Sequence, residues 1–202
     1  MSRLARLAAL TVAFALAGCV TTENSLSQND IASMKLTGVT VSFAPDAYIQ
    51  WEDGIRAYAV SKSITDDEVA TRSNTPEGKA FVQNMLAPRI RAGVEQAMAG
   101  QLAGSRPVRL DIVVKQFVLA SAVQRILIGG GRGMMADANL VDARTGAIII
   151  AYPGLQAVMY AGNGIVGAAV QAAVDNASAQ SPAEKLVGVY GQNYRDWLLR
   201  RV

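Results

Sequence analysis

The chain has 202 residues, of which 51% are hydrophobic and 17% charged, a balance that suits one folded domain and excludes a wholly disordered chain. It contains no histidine and a single cysteine. Histidine-dependent catalysis, histidine-ligated metal sites and an internal disulfide are therefore excluded.

The N-terminus has the three-part organisation of an export signal. Arg3 and Arg6 precede an apolar stretch at residues 7–16, and the small residues Ala17 and Gly18 follow it. About a dozen apolar residues are too few to cross the ~30 Å hydrocarbon core as a helix. We therefore predict that residues 1–18 are a signal peptide that is removed.

The charge of the chain argues against a nucleic-acid partner. The formal net charge of +3 falls to +1 once the positive charges of Arg3 and Arg6 are left out. Apart from Arg200 and Arg201, the remaining chain has no run of basic residues that could neutralise a row of phosphates. The sequence predicts no nucleic acid among its partners.

The tetrapeptide LAGC, which ends at Cys19, resembles the lipobox of bacterial lipoproteins. The resemblance implies cleavage before Cys19, a thioether-linked diacylglycerol on its sulfur and an acylated amino group. Val20, where an Asp would imply retention at the inner membrane, implies the periplasmic face of the outer membrane. The alternative is an ordinary signal peptide that happens to precede a buried or free cysteine.

The polar stretch after Cys19 has no apolar period, so we predict a lipidated cysteine and polar tether over residues 19–35 and a single periplasmic domain over residues 36–202. Residues 38–43 alternate as a half-buried strand does. Residues 48–78 mix alternation with turn residues, which indicates an excursion with a short hairpin or helix.

The first half of the domain is predicted to contain a long middle helix. Apolar residues recur every three or four positions from residue 77 to about residue 102, and Pro88 is expected to kink the helix or to begin a second segment. A strand is predicted next, because Val108, Leu110 and Ile112 alternate with charged residues.

Two strands joined by a turn at residues 142–146 come next, with Gly146 suited to a positive φ. A further strand is predicted over residues 155–160 and a small-residue helix over residues 165–177. Ser181, Pro182 and Glu184 form a capping box that begins the last helix. The predicted fold is α+β: a mainly antiparallel sheet of about four strands packed by the long middle helix and C-terminal helices.

Two glycine-rich stretches resemble parts of known ligand-binding motifs. Residues 162–167, GNGIVG, match the dinucleotide fingerprint but lack the acidic residue that ends a following strand, and residues 129–133, GGGRG, lack the Lys-Ser/Thr of a phosphate loop. We interpret both as structural glycines and predict no cofactor.

Two further stretches have a polar or aromatic character that could indicate binding. Asp66, Asp67 and Glu68 lack the spacing of a calcium loop and are interpreted as a solvated face, so no metal site is predicted. Trp51, within residues 48–54, could mark a recognition surface, although core packing is the usual role of such a residue.

As a whole, the chain resembles the small uncharacterised lipoproteins of Gram-negative bacteria, on its lipobox and on a strand that ends in LVDARTG at Gly146. The resemblance implies no activity. Our leading hypothesis is a non-catalytic envelope-structural or protein-interaction role, with the membrane as one partner through Cys19 and an envelope protein as the other. The alternatives are a module for a small apolar or lipid ligand, a subunit of an oligomeric secretion or pore assembly, and a carboxylate-based hydrolase.

Overall fold

The computed structural model describes residues 22–119, 131–159, 173, 175 and 178–201. Five helices and four strands follow one another within these residues. In chain order they are α1 (Gln28–Ser33), β1 (Met34–Trp51), α2 (Glu52–Lys62), α3 (Asp66–Ser73), α4 (Pro76–Met98), β2 (Arg106–Leu119), β3 (Arg132–Asp142), β4 (Ile148–Met159) and α5 (Pro182–Leu198).

The strands form one sheet in the order β1-β2-β3-β4. β1 runs parallel to β2, whereas β2 with β3 and β3 with β4 are antiparallel. A parallel pair requires a crossover connection, and α2, α3 and α4 supply it. The prediction of an α+β fold with a mainly antiparallel four-stranded sheet is confirmed.

One face of the sheet packs on helices α4 and α5 and forms the core. Every second side chain of β2 up to Val114 is buried there, and the intervening side chains lie half-buried on the opposite face. This alternation confirms the strand predicted from the same residues. The buried members of β2 are Val108, Leu110, Ile112, Val114, Phe117 and Leu119.

Helix α4 is one continuous helix from Pro76 to Met98 with Pro88 inside it. The hydroxyl of Thr75 accepts a hydrogen bond from the Gly78 N–H and caps its first turn. Pro88 therefore does not begin a second helical segment within residues 76–98. Side chains buried at steps of four, from Val82 through Leu86, Ile90 and Val94 to Met98, hold the helix on the sheet.

Helix α5 begins at the predicted capping box. The Ser181 hydroxyl accepts from the Glu184 N–H, and the Glu184 carboxylate accepts from the Ser181 N–H. Helix α5 lies very close to α4, because a Cβ added at Gly93 would come 2.6 Å from a methyl carbon of Val187. The two helices therefore need a glycine at their contact.

The predicted turn between β3 and β4 is confirmed, with Gly146 at a φ of 73°. The separate strand expected at residues 155–160 is wrong, because β4 continues through Gly154. The Gly154 N–H donates to the Asp137 carboxylate of the neighbouring strand at 2.6 Å, and a register shift beside Asp137 accommodates the extra length. The small-residue helix predicted at residues 165–177 lies mostly outside the described residues.

The chain before β1 is folded onto the domain. Ser27 caps α1, and both Ile31 and Met34 are buried in the main core. The described part of the predicted tether, residues 22–35, thus packs against the body. Single apolar residues in a polar stretch, here Ile31 and Met34, are buried in the core although they form no periodic pattern. The excursion after residue 48 consists of the end of β1 followed by α2 and α3.

Candidate functional site

The site predicted from the sequence is Cys19, which lies outside the described residues. The nearest described residue is Thr22, whose carbonyl oxygen accepts a hydrogen bond from the indole N–H of Trp197 at 2.7 Å. Among the described residues, Thr22 is the nearest in sequence to the predicted lipid.

Asn24 ties this N-terminal segment to the end of α5. Its side-chain amide donates to the carbonyl oxygens of Leu198, at 2.8 Å, and Trp197, at 3.3 Å. The last carbonyls of a helix have no partner within the helix. Asn24 is only 8% exposed. Its buried amide satisfies the Leu198 carbonyl and adds to the hydrogen bond that the Trp197 carbonyl accepts from the Arg200 N–H.

Arg200 holds the same segment through further hydrogen bonds. It adopts the left-handed conformation, with a φ of 53°, where the helix ends. Glycine is usual at such a position, since any other residue costs roughly 1–2 kcal/mol. The guanidinium of Arg200 donates to the carbonyl oxygens of Asn24 and Leu26 at 2.6 Å each. A glycine at this position would lack both hydrogen bonds.

An open furrow of about 550 Å³ runs beside Thr22. Two aromatic rings stand on its wall, with the ring centroids of Tyr152 and Trp197 4.9 Å apart in an edge-to-face arrangement. Both rings are half-buried. The polar side chains that line the furrow are Gln156, Asn193, Asp196 and Arg201, together with Thr22.

A second polar surface is the sheet face opposite the helices, which we call the open face. Thr40 donates to the Asp111 carboxylate, which also accepts two hydrogen bonds from Arg109 at 2.6 and 2.8 Å. The Arg109 guanidinium holds the pKa of Asp111 below its usual range. Farther along, Lys115 pairs with Asp137 at 2.7 Å, so these four charges of the open face are neutralised in pairs.

The acidic stretch considered for a cation lies in the first turn of α3, where Asp66, Asp67 and Glu68 suit the positive end of the helix dipole. A hydrogen bond from Thr65 holds the pKa of Asp67 below its usual range. Within the part of the chain that the structure describes, no group of three acidic or cysteine side chains could hold a metal ion.

Trp51, considered for recognition, belongs to the core and is 3% exposed. The guanidinium carbon of Arg89 lies 5.1 Å from the centre of its ring, a cation–π contact between α4 and β1. Tyr48, three residues earlier, is exposed. The structure therefore gives Trp51 the packing role rather than the binding role.

The glycine fingerprint at residues 162–167 and most of the glycine stretch at residues 129–133 lie outside the described residues. Arg132, from the second stretch, is described and is 3% exposed. Its guanidinium pairs with Asp175 at 2.5 Å, and Asp175 also lies 3.6 Å from Lys185. This buried ion cluster joins β3 to α5.

The groove between α4 and α5 has a volume of about 930 Å³ and is lined by small residues and by charged side chains of both signs. Two of the small residues, Gly93 and Ala97, lie where the helices approach each other closely. A Cβ added at Gly191, for example, would lie 2.7 Å from the Cβ of Ala97.

None of the described helices is long and apolar enough to cross a membrane. No protein-family model matches the chain, and neither does any curated protein. Among solved structures, it is similar to a predicted lipoprotein from Caulobacter crescentus CB15, with 17% identity over 56% of this chain and 80% of that one and a TM-score of 0.33.

It is also similar to the PelC dodecamer from Paraburkholderia phytofirmans, with 11% identity over 86% of this chain and 94% of that one and a TM-score of 0.37. At these TM-scores neither likeness identifies a shared function.

Proposed function

We propose that the protein is a lipoprotein attached to the outer membrane through Cys19, with its body facing the periplasm and serving a non-catalytic structural or protein-interaction role. The observation that carries the proposal is the position of Cys19, three residues before the docked Thr22 and directly after the sequence predicted to be a signal peptide.

The chemistry of attachment follows from the thiol. Sulfur is the strongest nucleophile among the side chains near Cys19 and forms a stable thioether. Burial of acyl chains contributes ~0.8 kcal/mol per methylene, and more than one chain gives stable attachment where a single chain gives reversible binding. No spanning helix is needed for such a protein.

The interaction role is supported by the open face. Asp111 and Asp137 hold their cationic partners on the side of the sheet away from α4 and α5, which leaves a polar surface for a partner of the same character. Interfaces between proteins that also exist separately are about as polar as the rest of the surface.

Anchoring is tested by growth with labelled palmitate followed by membrane fractionation. The expected result is label on the wild-type chain and loss of both label and membrane partition in Cys19→Ser. Ser25→Ala, in the exposed part of the same segment, is the matched control and should keep both. Label on Cys19→Ser would contradict the proposal.

The interaction role is tested by a photocrosslinking residue placed at Thr40 on the open face, with Val60 on α2 as the exposed control position. The expected result is an adduct with an envelope protein from Thr40 and none from Val60. An adduct with a second copy of the chain would favour an oligomeric subunit, and the absence of any adduct would count against the interaction role.

A further inference from the structure

The short connection between Cys19 and the folded body restricts how the body can lie on a membrane. Three residues span at most about 11 Å when fully extended. A flexible tether over all of residues 19–35 would instead have an end-to-end distance of roughly 22 Å. The lipid on Cys19 therefore lies close to the surface around Thr22.

Thr22 is itself held in place. Its carbonyl oxygen is bound by Trp197 at 2.7 Å, and the next residues of the chain are bound through Asn24 and Arg200. Moving the end of α5 farther from Cys19 than the three intervening residues reach would require these bonds to break together. The end of α5 is thus held close to the lipid on Cys19.

We propose, on the basis of the lipid anchor proposed above, that the surface beside Thr22 rests on the lipid headgroups and orients the body on the membrane. We call this surface, formed by Thr22, Tyr152, Trp197, Arg200 and Arg201, the seating surface. Its occupant is the headgroup layer of the membrane that holds the anchor.

The chemistry of the seating surface fits that layer. Tyr152 and Trp197 are half-buried, with ring centroids 4.9 Å apart in their edge-to-face contact, and such aromatic residues are enriched at the membrane–water interface. Arg200 and Arg201 are exposed cations, which anionic headgroups attract.

Two carboxylates lie near these groups in the sequence. Asp196 is paired with Arg195 at 2.8 Å, and Glu23 is exposed. The three cations near the seating surface are Arg195, Arg200 and Arg201, and the two carboxylates are Glu23 and Asp196. This balance of charge favours an anionic lipid surface.

The seating surface also determines which end of the sheet points away from the membrane. Tyr152 lies near the start of β4, and Met159 at its end is about 23 Å farther along the strand. Met159 pairs with Arg132, which pairs with Leu119, which in turn pairs with Trp51. This end of all four strands is the distal end of the body.

The two tryptophans of the chain, Trp51 and Trp197, report on these two places. The lipidated full chain is reconstituted into vesicles of phosphatidylethanolamine and phosphatidylglycerol that carry a nitroxide quencher on a fraction of the headgroups. Trp51→Phe leaves Trp197 as the reporter, and the wild-type chain adds the emission of Trp51 while it keeps the hydrogen bond from Trp197 to Thr22. We expect at least twofold stronger quenching of Trp197 than of Trp51.

A second measurement avoids changes to packed residues. Glu23→Cys and Val158→Cys each add one exposed thiol, while the sulfur of Cys19 is occupied by the lipid. A fluorophore on Glu23→Cys should be quenched by the headgroup nitroxide, and one on Val158→Cys should be quenched at least twofold less.

The outcomes separate the two proposals. Protein that floats with the vesicles but shows equal quenching at both positions contradicts the seating and leaves the anchor intact. Protein that does not float with vesicles contradicts the anchor, and the seating fails with it. Flotation with strong quenching confined to Trp197 and the Glu23→Cys label supports both.

Discussion

The indole N–H of Trp197 donates a hydrogen bond of 2.7 Å to the carbonyl oxygen of Thr22, which joins two residues 175 positions apart. The first described residue is thereby fastened to the last helix. Because Cys19 precedes Thr22 by only three residues, the stability of this contact controls how closely the proposed anchor is coupled to the body.

We expect Asn24→Ala to destabilise the protein by about 1–3 kcal/mol, since it leaves the buried carbonyl oxygen of Leu198 without its side-chain donor. The free energy of unfolding is measured by urea denaturation. Ser25→Ala, an exposed position beside it, is the control. Equal urea midpoints for the two variants would show that the Asn24 amide adds no stability.

The buried ion cluster predicts a larger effect. Asp175→Ala leaves the buried guanidinium of Arg132 without the carboxylate it pairs with, which is expected to cost about 3–5 kcal/mol. Arg56→Gln removes an exposed pair with Glu52 and should cost less than about 1 kcal/mol.

The double variant Arg132→Met with Asp175→Leu separates lost charge pairing from lost packing. Replacing both charges by apolar groups removes the uncompensated guanidinium, so the double variant should be more stable than Asp175→Ala. A double variant as unstable as the single one would contradict the electrostatic explanation.

Two buried tyrosines of α5 form a matched pair. The Tyr190 hydroxyl donates to the Ala136 carbonyl oxygen at 3.2 Å, whereas the buried hydroxyl of Tyr194 has no hydrogen-bond partner among the described residues. Tyr190→Phe should cost about 1 kcal/mol, and Tyr194→Phe should be neutral or stabilising, because it removes a buried polar group that gains nothing. Thermal unfolding of both variants checks this, and equal losses would contradict it.

Two glycines of α5 predict opposite outcomes. At Gly191 a Cβ would lie 3.3 Å from the Cα of Val94 on α4, whereas at Gly188 no atom lies within 4 Å. Gly191→Ala should cost about 1–3 kcal/mol by pushing the helices apart. Gly188→Ala should add about 0.5–1 kcal/mol through helix propensity. Urea denaturation of the two single variants measures both signs.

Stability should fall in acid partly through Asp142. Hydrogen bonds from the backbone N–H groups of Thr145 and Arg144 hold the pKa of Asp142 below its ordinary value of 3.8. Because the lowered pKa belongs to the folded state, the contribution is complete above pH 3.8 and is lost as the pH falls through the lowered value.

The difference in unfolding free energy between wild type and Asp142→Asn should therefore shrink between neutral pH and well below pH 3.8. Asp46→Asn, at an exposed position of β1, controls for the loss of one negative charge. A difference that is the same at both pH values would rule out this role for Asp142.

Local signals account for the elements that the sequence predicted well. Ser181 and Glu184 determine where α5 begins, and Gly146 allows the turn between β3 and β4, because each acts on residues next to it. Gly154 behaves differently, since a carboxylate on the neighbouring strand holds it within β4. Such a partner becomes visible only when the strand order is known.

The same distinction applies to the site. Cys19 was predicted from the residues directly in front of it. Asn24 stood in a polar stretch without any period, and its partners lie 173 and 174 residues away on α5. No local pattern marks an amide that completes the end of a distant helix, so the sequence alone predicts a tether where the structure has a docked segment.

The parallel pairing of β1 with β2 has a consequence for the order of folding. β2, β3 and β4 follow one another as neighbours in the sheet, whereas β1 reaches β2 only after the long connection through α2, α3 and α4. Contacts that are distant in sequence form later, because a larger loop must close first. We therefore expect the part of the chain that leads to Cys19, although synthesised first, to be the last to join the folded body.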